Sequence, residues 1–177
     1  IHLSMDKLWM VEHHCKLWGV ASPISIAVWT TATEEEVLSQ LESSGCDSEH
    51  LTLHIFNSKG QAEKDYPINM LRNLALQGVA TSHVLSVDVD FWESQALFDT
   101  LHSPHIRMEL SKDPTLGLVV PAFQVQDQNC GEANECRKTH EALVPTNFEE
   151  LVLALGTNDV LPLDPLNFAR EGSTLYR

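Results

Sequence analysis

Residues 24–56 read ISIAVWTTATEEEVLSQLESSGCDSEHLTLHIF, and this stretch decides the fold class. It begins at 24–29 and ends at 51–56 with alternating apolar and β-branched residues, a pattern typical of strands. Between them, Thr33 and Glu36 form a capping-box pattern at the start of an apolar helical run. A strand, a helix and a second strand in this order predict a crossover between parallel strands, so the predicted class is α/β.

Strands and helices continue to alternate on both sides of this stretch. Ser4 can cap a first helix that Gly19 ends, and Pro67 can occupy the first turn of another that Gly78 ends. Apolar periodicity predicts the remaining elements, which are strands at 84–89 and 116–125, a helix at 94–101, and a helix from a capping box at Thr146 and Glu149 to Gly156. We therefore expect one mostly parallel sheet flanked by helices, in a single domain over residues 1–177.

The composition excludes two classes of protein. The net charge is −14 and the chain has only 11 lysines and arginines, so it lacks a broad surface for nucleic acid. No run of about 18 apolar residues occurs that could span a bilayer. The chain opens without methionine at Ile1, inside what looks like the end of a strand, so we expect a fragment. A metal ion or a neutral or cationic partner suits this composition better than nucleic acid.

The segment most informative about function is HVLSVDVDFW at 83–92. Its apolar run delivers Asp88 and Asp90 to the carboxyl end of a predicted strand, where open α/β sheets bind ligands. Side chains two apart on a strand face the same way, so both carboxylates can converge on one ion, whereas Glu93 points away. Hard oxygen ligands suit Mn²⁺ or Mg²⁺, which can bridge to a diphosphate. The alternative, a solvated turn, is disfavoured by the apolar and aromatic residues around the pair.

A second polar segment, YPINMLRNLA at 66–75, precedes the aspartates. Asn69, Arg72 and Asn73 lie within about one turn on the predicted helix, opposite its apolar face. The planar fork of Arg72 can reach a phosphate or a carboxylated sugar. The alternative is an exposed arginine on a surface helix.

Four segments occur in the order seen in the LARGE-type glycosyltransferases, whose relatives include the β-1,4-glucuronyltransferase of dystroglycan glycosylation. They lie at 4–9, 66–75, 86–91 and 119–123. The closing PLNFA at 165–169 is similar to the Pro-Thr-Asn-Phe-Ala segment of that family. The chain therefore resembles this family over nearly its whole length.

The resemblance implies a GT-A fold, a UDP-sugar donor, an Mn²⁺ ion with Mg²⁺ as the alternative, and inverting transfer of a glucuronosyl unit to a glycan hydroxyl. Asp88 and Asp90 match the metal-binding aspartates of the family. Arg72 and Asn73 match its Leu-Arg-Asn segment, and with Asn69 and Asp88 they are the expected donor-binding residues. The resemblance also implies the Golgi lumen, for a type II membrane protein whose anchor lies outside these residues.

The family's domain continues for roughly another hundred residues, about the size needed to complete a domain of this class. We therefore expect a C-terminally truncated, donor-binding half, with the catalytic base and a third metal ligand, commonly a histidine, in the continuation. The alternative is a catalytically incomplete fragment or pseudoenzyme that binds a nucleotide sugar. Phosphatases of the haloacid dehalogenase type also place Asp-x-Asp after an apolar strand, but they normally have threonine where this chain has Trp92.

The cysteines and histidines carry weaker signals. Cys130 and Cys136 flank a polar loop and can pair in an oxidising compartment or remain free thiols; Cys15 and Cys46 show no informative spacing. Because the relatives work in the Golgi lumen, we expect a disulfide between Cys130 and Cys136. The nine histidines lack the spacing of a zinc site and are expected to be solvated or satisfied in the core.

Overall fold

The structure is a computed structural model that describes residues 1–18, 22–94, 96–126 and 142–163. The chain divides into two compact units, Ile1–Glu93 and Ser94–Arg177. Among the described residues, no helix has the length and apolar character that a membrane span requires.

The first unit is built on a parallel sheet with the strand order β1-β2-β3. These strands are His2–Ser4, Ile24–Thr30 and Leu51–Asn57. The register places Val28 of β2 beside Leu3 on one side and Ile55 on the other. The α/β class, the strands predicted at 24–29 and 51–56, and the strand end at the start of the chain are thereby confirmed.

The helices of this unit follow the strands as predicted, with small differences at their ends. The chain leaves β1 through a 3-10 helix, Met5–Met10, which continues as α1, Val11–Leu17. Ser4 makes no side-chain capping bond there, and Gly19 lies outside the described residues. The sequence therefore predicted the helical segment but not its cap.

The capping box at the start of α2 (Glu34–Ser43) is confirmed. The Glu36 N–H donates to Thr33 Oγ1, and the Thr33 N–H donates to Glu36 Oε2 at 2.8 Å. The next helix, α3, spans Ile68–Gln77. Pro67 lies at its N-cap, one residue before the predicted position, and Gly78 ends it as predicted.

The two faces of the sheet pack against different helices because successive side chains on a strand point to opposite faces. Ile26 and Val28 are fully buried in a core that includes residues of α1 and α2. Ala27 faces the other way and packs with Leu71 and Ala75 of α3. Right-handed crossovers between neighbouring parallel strands place α1 and α2 on one side. The chain thus changes face after β3, and α3 also contacts β1.

The end of α3 approaches the sheet closely. A Cβ atom on Gly78 would lie 2.6 Å from Thr52 Cγ2 and 2.8 Å from Ser25 Oγ, so another residue here would have to displace these side chains. Space therefore favours glycine at this position, and its backbone is in the ordinary right-handed region.

A disulfide joins Cys15 near the end of α1 to Cys46 after α2, with 5.2 Å between the Cα atoms. The sequence analysis did not predict this pairing. Because α1 and α2 cover the same face and both run back toward the start of the next strand, their ends come together. The disulfide predicted between Cys130 and Cys136 lies outside the described residues.

The prediction of a strand at 84–89 is wrong. No strand is assigned to 84–89, and Asp88 and Asp90 lie in a turn rather than at a strand end. Val84 is 53% exposed, and Val89 is buried. An apolar run predicts burial and extension, but a strand also needs a neighbouring backbone to receive its hydrogen bonds.

The strand predicted at 116–125 is also wrong in length and in partner. Only β4, Phe123–Val125, forms in this range, and it pairs antiparallel with β5, Val160–Pro162, in a two-stranded sheet of the second unit. The four predicted strands therefore do not join one sheet. Periodicity does not indicate the direction or identity of the pairing strand, which here lies more than thirty residues later in the chain.

Three helices of the second unit lie wholly within the described residues: α4 (Leu97–Leu101), α5 (Pro104–Ser111) and α6 (Phe148–Thr157). The predicted helix at 94–101 is thus shorter, and α5 was not predicted. The cap of α6 is Asn147, which accepts from the Glu150 N–H at 2.9 Å, so the predicted Thr146 and Glu149 box is one residue early. Asn158, with φ 61°, ends this helix beyond Gly156.

Candidate functional site

The two aspartates lie in a turn that a hydrogen bond from the Phe91 N–H to the Asp88 carbonyl closes at 3.0 Å. Val89 between them is 3% exposed and belongs to the core. The side chains of Asp88 and Asp90 are 40% and 52% exposed. Both carboxylates are therefore accessible to a ligand in solvent.

Asp88 is held by side chains from two other elements. Arg72 on α3 donates from Nη2 to both carboxylate oxygens, at 3.0 and 3.2 Å. His2 on β1 has its Nε2 atom 3.0 Å from Asp88 Oδ1 and its Nδ1 atom 2.9 Å from the Tyr66 hydroxyl. The structure thus brings the predicted Arg72 and Asp88 together and adds His2 and Tyr66 to them.

The proton positions in this cluster follow from the acceptors. His2 Nε2 also lies 3.2 Å from Arg72 Nε, which is a donor, so Nε2 cannot serve both contacts at once. The contact with Asp88 is the shorter of the two, and without a proton on Nε2 two acceptor atoms would face each other there. We therefore assign the proton of neutral His2 to Nε2, where it donates to Asp88, and Nδ1 accepts from the Tyr66 hydroxyl.

The cluster shifts the titration of its members. Partial burial by itself raises the pKa of Asp88, but the hydrogen bonds and charge of Arg72, together with His2, outweigh burial and lower that pKa. Burial lowers the pKa of His2 despite the opposing charge of Asp88. Burial and the charge of Asp88 raise the pKa of Tyr66 to about 12. At neutral pH the cluster is a carboxylate, a neutral imidazole and a phenol beside one guanidinium.

Asp90 has a different neighbour, and two predicted residues lie apart from both aspartates. Lys7 Nζ, from the 3-10 helix after β1, lies 3.3 Å from Asp90 Oδ2. An ion pair this exposed contributes little to stability, so Asp90 can exchange its partner readily.

Asn69 and Asn73 are exposed on α3, and no hydrogen bond joins them to either aspartate within the described residues.

The donor atoms of this turn fit a hard divalent cation in part. Asp88 and Asp90 offer charged oxygens, and each is already paired with a cation. Over the described ranges, no group of three His, Cys, Asp or Glu side chains is arranged to hold a metal. Mg²⁺ commonly binds through one or two carboxylates plus substrate phosphates, and Mn²⁺ also prefers such oxygen ligands. The turn therefore suits an ion that arrives with a phosphate ligand better than a closed protein site.

An open groove of about 600 Å³ lies at the carboxyl edge of the parallel sheet. Its size is in the range of small-molecule sites, and open α/β sheets bind ligands at this edge. The groove is lined by the last residues of β1 and β2, by residues that follow the three strands and by one residue of α2, namely Ser4, Met5, Asp6, Trp29, Thr30, Thr31, Ala32, Glu36 and Ser58.

Glu93 was expected to point away from the ion on an extended strand, but no strand forms there and its side chain lies in the core. Glu93 is buried, and its Oε1 atom lies 2.8 Å from His14 Nδ1 on α1. The Nε2 atom of His14 donates to the carbonyl of Val89 at 3.0 Å. Because the turn ends the extended geometry assumed for 84–89, strand alternation does not apply to Glu93. His14 is satisfied in the core, as the histidines were expected to be.

Residues 33–163 match the family of glycosyl-transferases for dystroglycan, a match that covers well over half of the chain. The chain belongs to this family. The matched range includes Arg72, Asp88 and Asp90, and the LARGE-type resemblance is confirmed.

Individual relatives agree with this membership in the dystroglycan glycosyltransferase family. The xylosyl- and glucuronyltransferase LARGE2s of Gallus gallus is 38% identical over 125 residues, which cover 69% of this chain and 16% of the relative. The human xylosyl- and glucuronyltransferases LARGE2 and LARGE1 are 34% and 32% identical over the same share of this chain, and 17% and 16% of their own lengths are covered. The chain thus spans about one sixth of these relatives.

Sequence reasoning missed four side chains around the aspartates of this family member: His2, Lys7, His14 and Tyr66. For His2 a signal was present, because alternation from the apolar Leu3 places it on the other face of the first strand. Tyr66 opens the 66–75 segment and could have been grouped with Arg72 by that position. Nothing local distinguishes Lys7 or His14 from other polar residues of a surface helix.

Proposed function

We propose that this chain binds a UDP-sugar through a divalent ion at Asp88 and Asp90, and that it belongs to a GT-A enzyme that transfers a glucuronosyl unit to a glycan hydroxyl with inversion. The observation that carries the proposal is the pair of accessible carboxylates in one turn, with Arg72 bound to the first of them. Membership in a glycosyltransferase family supports it.

The ion, Mn²⁺ or Mg²⁺, would bridge the diphosphate and offset the charge that develops on the leaving group. Asp88 and Asp90 would supply its protein ligands. Arg72 presents a rigid fork beside Asp88 and would orient an anionic part of the donor. Asn69 and Asn73 lie exposed on the same helix and are proposed as further contacts for the donor. The groove at the sheet edge is proposed to receive the nucleoside.

Inversion requires a base that accepts the proton of the acceptor hydroxyl. We propose that this base and a third metal ligand belong to the part of the longer relatives that the similarity does not cover. A binding module without transferase activity is the second candidate. The two accessible carboxylates also support this candidate, because binding a metal-nucleotide pair needs no catalytic base.

We further propose that the protein works in an oxidising compartment, the Golgi lumen. The disulfide between Cys15 and Cys46 supports this, because disulfides persist in secretory compartments and are rare in the cytosol.

Binding of UDP is expected to require the divalent ion, because the diphosphate and two carboxylates repel each other without it. Calorimetric titration of UDP into the protein with Mn²⁺, and again with excess chelator, measures this requirement. Equal affinity in both titrations would contradict the metal-bridged site. Transfer of glucuronic acid from UDP-glucuronate to a glycan then separates an enzyme from a binding module.

Replacing Arg72 with Lys is expected to lower the preference for UDP-glucuronate over UDP-glucose about tenfold. A hydrogen bond to a charged group is worth about 1.5–3 kcal/mol, and lysine cannot reproduce the planar fork. Titration of both donors in the presence of Mn²⁺ measures the preference. An equal loss for both donors would show that Arg72 contacts the diphosphate rather than the sugar carboxylate.

A further inference from the structure

A buried histidine on α1 holds the turn that carries the two aspartates. His14 is fully buried, and its Nε2 atom lies 3.0 Å from the carbonyl oxygen of Val89, the residue between Asp88 and Asp90. A carbonyl oxygen only accepts, so Nε2 carries a proton and donates it. One side chain therefore ties the middle of the turn to the helix.

Glu93 determines the orientation of this histidine. Its Oε1 atom lies 2.8 Å from His14 Nδ1, and Glu93 is only 6% exposed. Since Nε2 is already protonated, one proton lies between Nδ1 and Oε1, on either atom. The contact fixes the ring so that Nε2 faces Val89.

Stability alone does not account for this pair. Apolar residues of similar volume often replace a buried ion pair with no loss of stability or with a gain. In addition, the Oε2 atom of Glu93 is buried without a hydrogen bond among the described residues, which costs free energy. The presence of a buried polar pair here is better explained by its hydrogen bond to the backbone of the turn at Val89.

The turn is held against the same helix at a second point. Trp92 stacks on His13 of α1, with 4.3 Å between the ring centroids. The carboxylates of Asp88 and Asp90, by contrast, are more than a third exposed. Their spacing therefore depends on the backbone of the turn, which α1 fixes.

We propose that His14, oriented by Glu93, is a positioning residue for the divalent ion. Its hydrogen bond to the Val89 carbonyl sets the backbone between Asp88 and Asp90 so that both carboxylates face one ion. This inference rests on the proposed function, and His14 contacts neither the ion nor the donor. Loss of a group that orients metal ligands typically lowers metal affinity about 10- to 100-fold.

Two polar substitutions separate the contacts of His14. The amide nitrogen of Gln can take the place of Nε2 and keep the bond to Val89, whereas that of Asn takes the place of Nδ1 and keeps only the contact with Glu93. We expect His14→Gln to bind Mn²⁺ within about threefold of wild type in the presence of UDP, and His14→Asn to lose about 10- to 100-fold. Electron paramagnetic resonance of free Mn²⁺ measures both affinities on the full chain.

The matched control is Val37→Ala, which destabilises the same core from α2 but removes no polar contact of the turn. Thermal unfolding ranks the stability of all variants. Equal affinities for the Gln and Asn variants, or an Asn loss no larger than that of the control, would overturn the positioning role.

Substitutions of Glu93 repeat the comparison if His14→Asn does not fold. The amide of Glu93→Gln can still donate to Nδ1 and should retain Mn²⁺ affinity, whereas Glu93→Leu should lose it; equal affinities count against the inference. The wild type is first tested for UDP binding without Mn²⁺. Binding under that condition would refute the proposed function and not the role of His14.

Discussion

Asp88→Asn is expected to weaken UDP binding in the presence of Mn²⁺ by about 100-fold or more, since losing a ligand exceeds the effect of losing a group that orients one. Asparagine keeps the shape of the side chain but removes a charge, and a hard ion prefers charged oxygen. The same substitution leaves Arg72 without its carboxylate partner. Asp90→Asn should weaken binding for the first reason alone. Calorimetric titration of UDP with Mn²⁺ measures both affinities.

The control for this series must be an exposed aspartate outside the turn. Asp99→Asn on α4 meets that requirement and should bind as the wild type does. Glu93→Gln is a weaker choice of control even though it should retain Mn²⁺ affinity, because Glu93 is buried against His14 and the substitution alters that contact. The aspartates are exposed enough that neither substitution should unfold the protein. If the two aspartate variants and the control share one affinity, the metal assignment fails.

Removing the disulfide between Cys15 and Cys46 is expected to destabilise the protein by about 3–4 kcal/mol. The bond closes a loop over a sequence separation of 31, and a cross-link of this length restricts the unfolded chain by about that amount in the chain-entropy description. That loss is a large fraction of the stability of a typical domain. Urea unfolding of the Cys15→Ala/Cys46→Ala variant, compared with wild type, gives the difference.

The matched control for the Ala variant is Cys130→Ser/Cys136→Ser, which also removes two cysteines but leaves the cross-link between α1 and α2 in place. Reductant should lower the stability of this variant and have a much smaller effect on the Ala variant. Mass analysis of the unreduced digest should recover the Cys15 and Cys46 peptides joined. Recovery of the two peptides separately would contradict the cross-link, and a loss of stability below about 1 kcal/mol in the Ala variant would contradict its expected contribution.

The elements that the sequence predicted correctly depend on residues close together in the chain. The capping box of Thr33 and Glu36 spans three residues, and the strands on either side of it carry their own alternation. These local signals were enough for the α/β class. The short segments around Arg72, Asp88 and Asp90 were likewise enough to indicate the family, because side-chain identity and order do not depend on packing.

The predictions that depended on which strands pair with each other were wrong or incomplete. The apolar run at 84–89 has the composition of a strand, but no neighbouring backbone pairs with it in the described structure. The run at 116–125 yields only Phe123–Val125, which pairs with a later segment in antiparallel order. Periodicity reports burial, whereas a strand requires a partner at the right distance and register.

By itself the sequence determined the strand-helix-strand core, the helix caps near Thr33 and Gly78, and the membership in the family. Only the tertiary structure decided that Arg72 binds Asp88 and that His14 holds Val89. The pairing of Cys15 with Cys46 was decided in the same way, by α1 and α2 lying on one face of the sheet. These contacts join residues 16 to 75 positions apart, so they depend on the path of the whole unit and leave no local pattern in the chain.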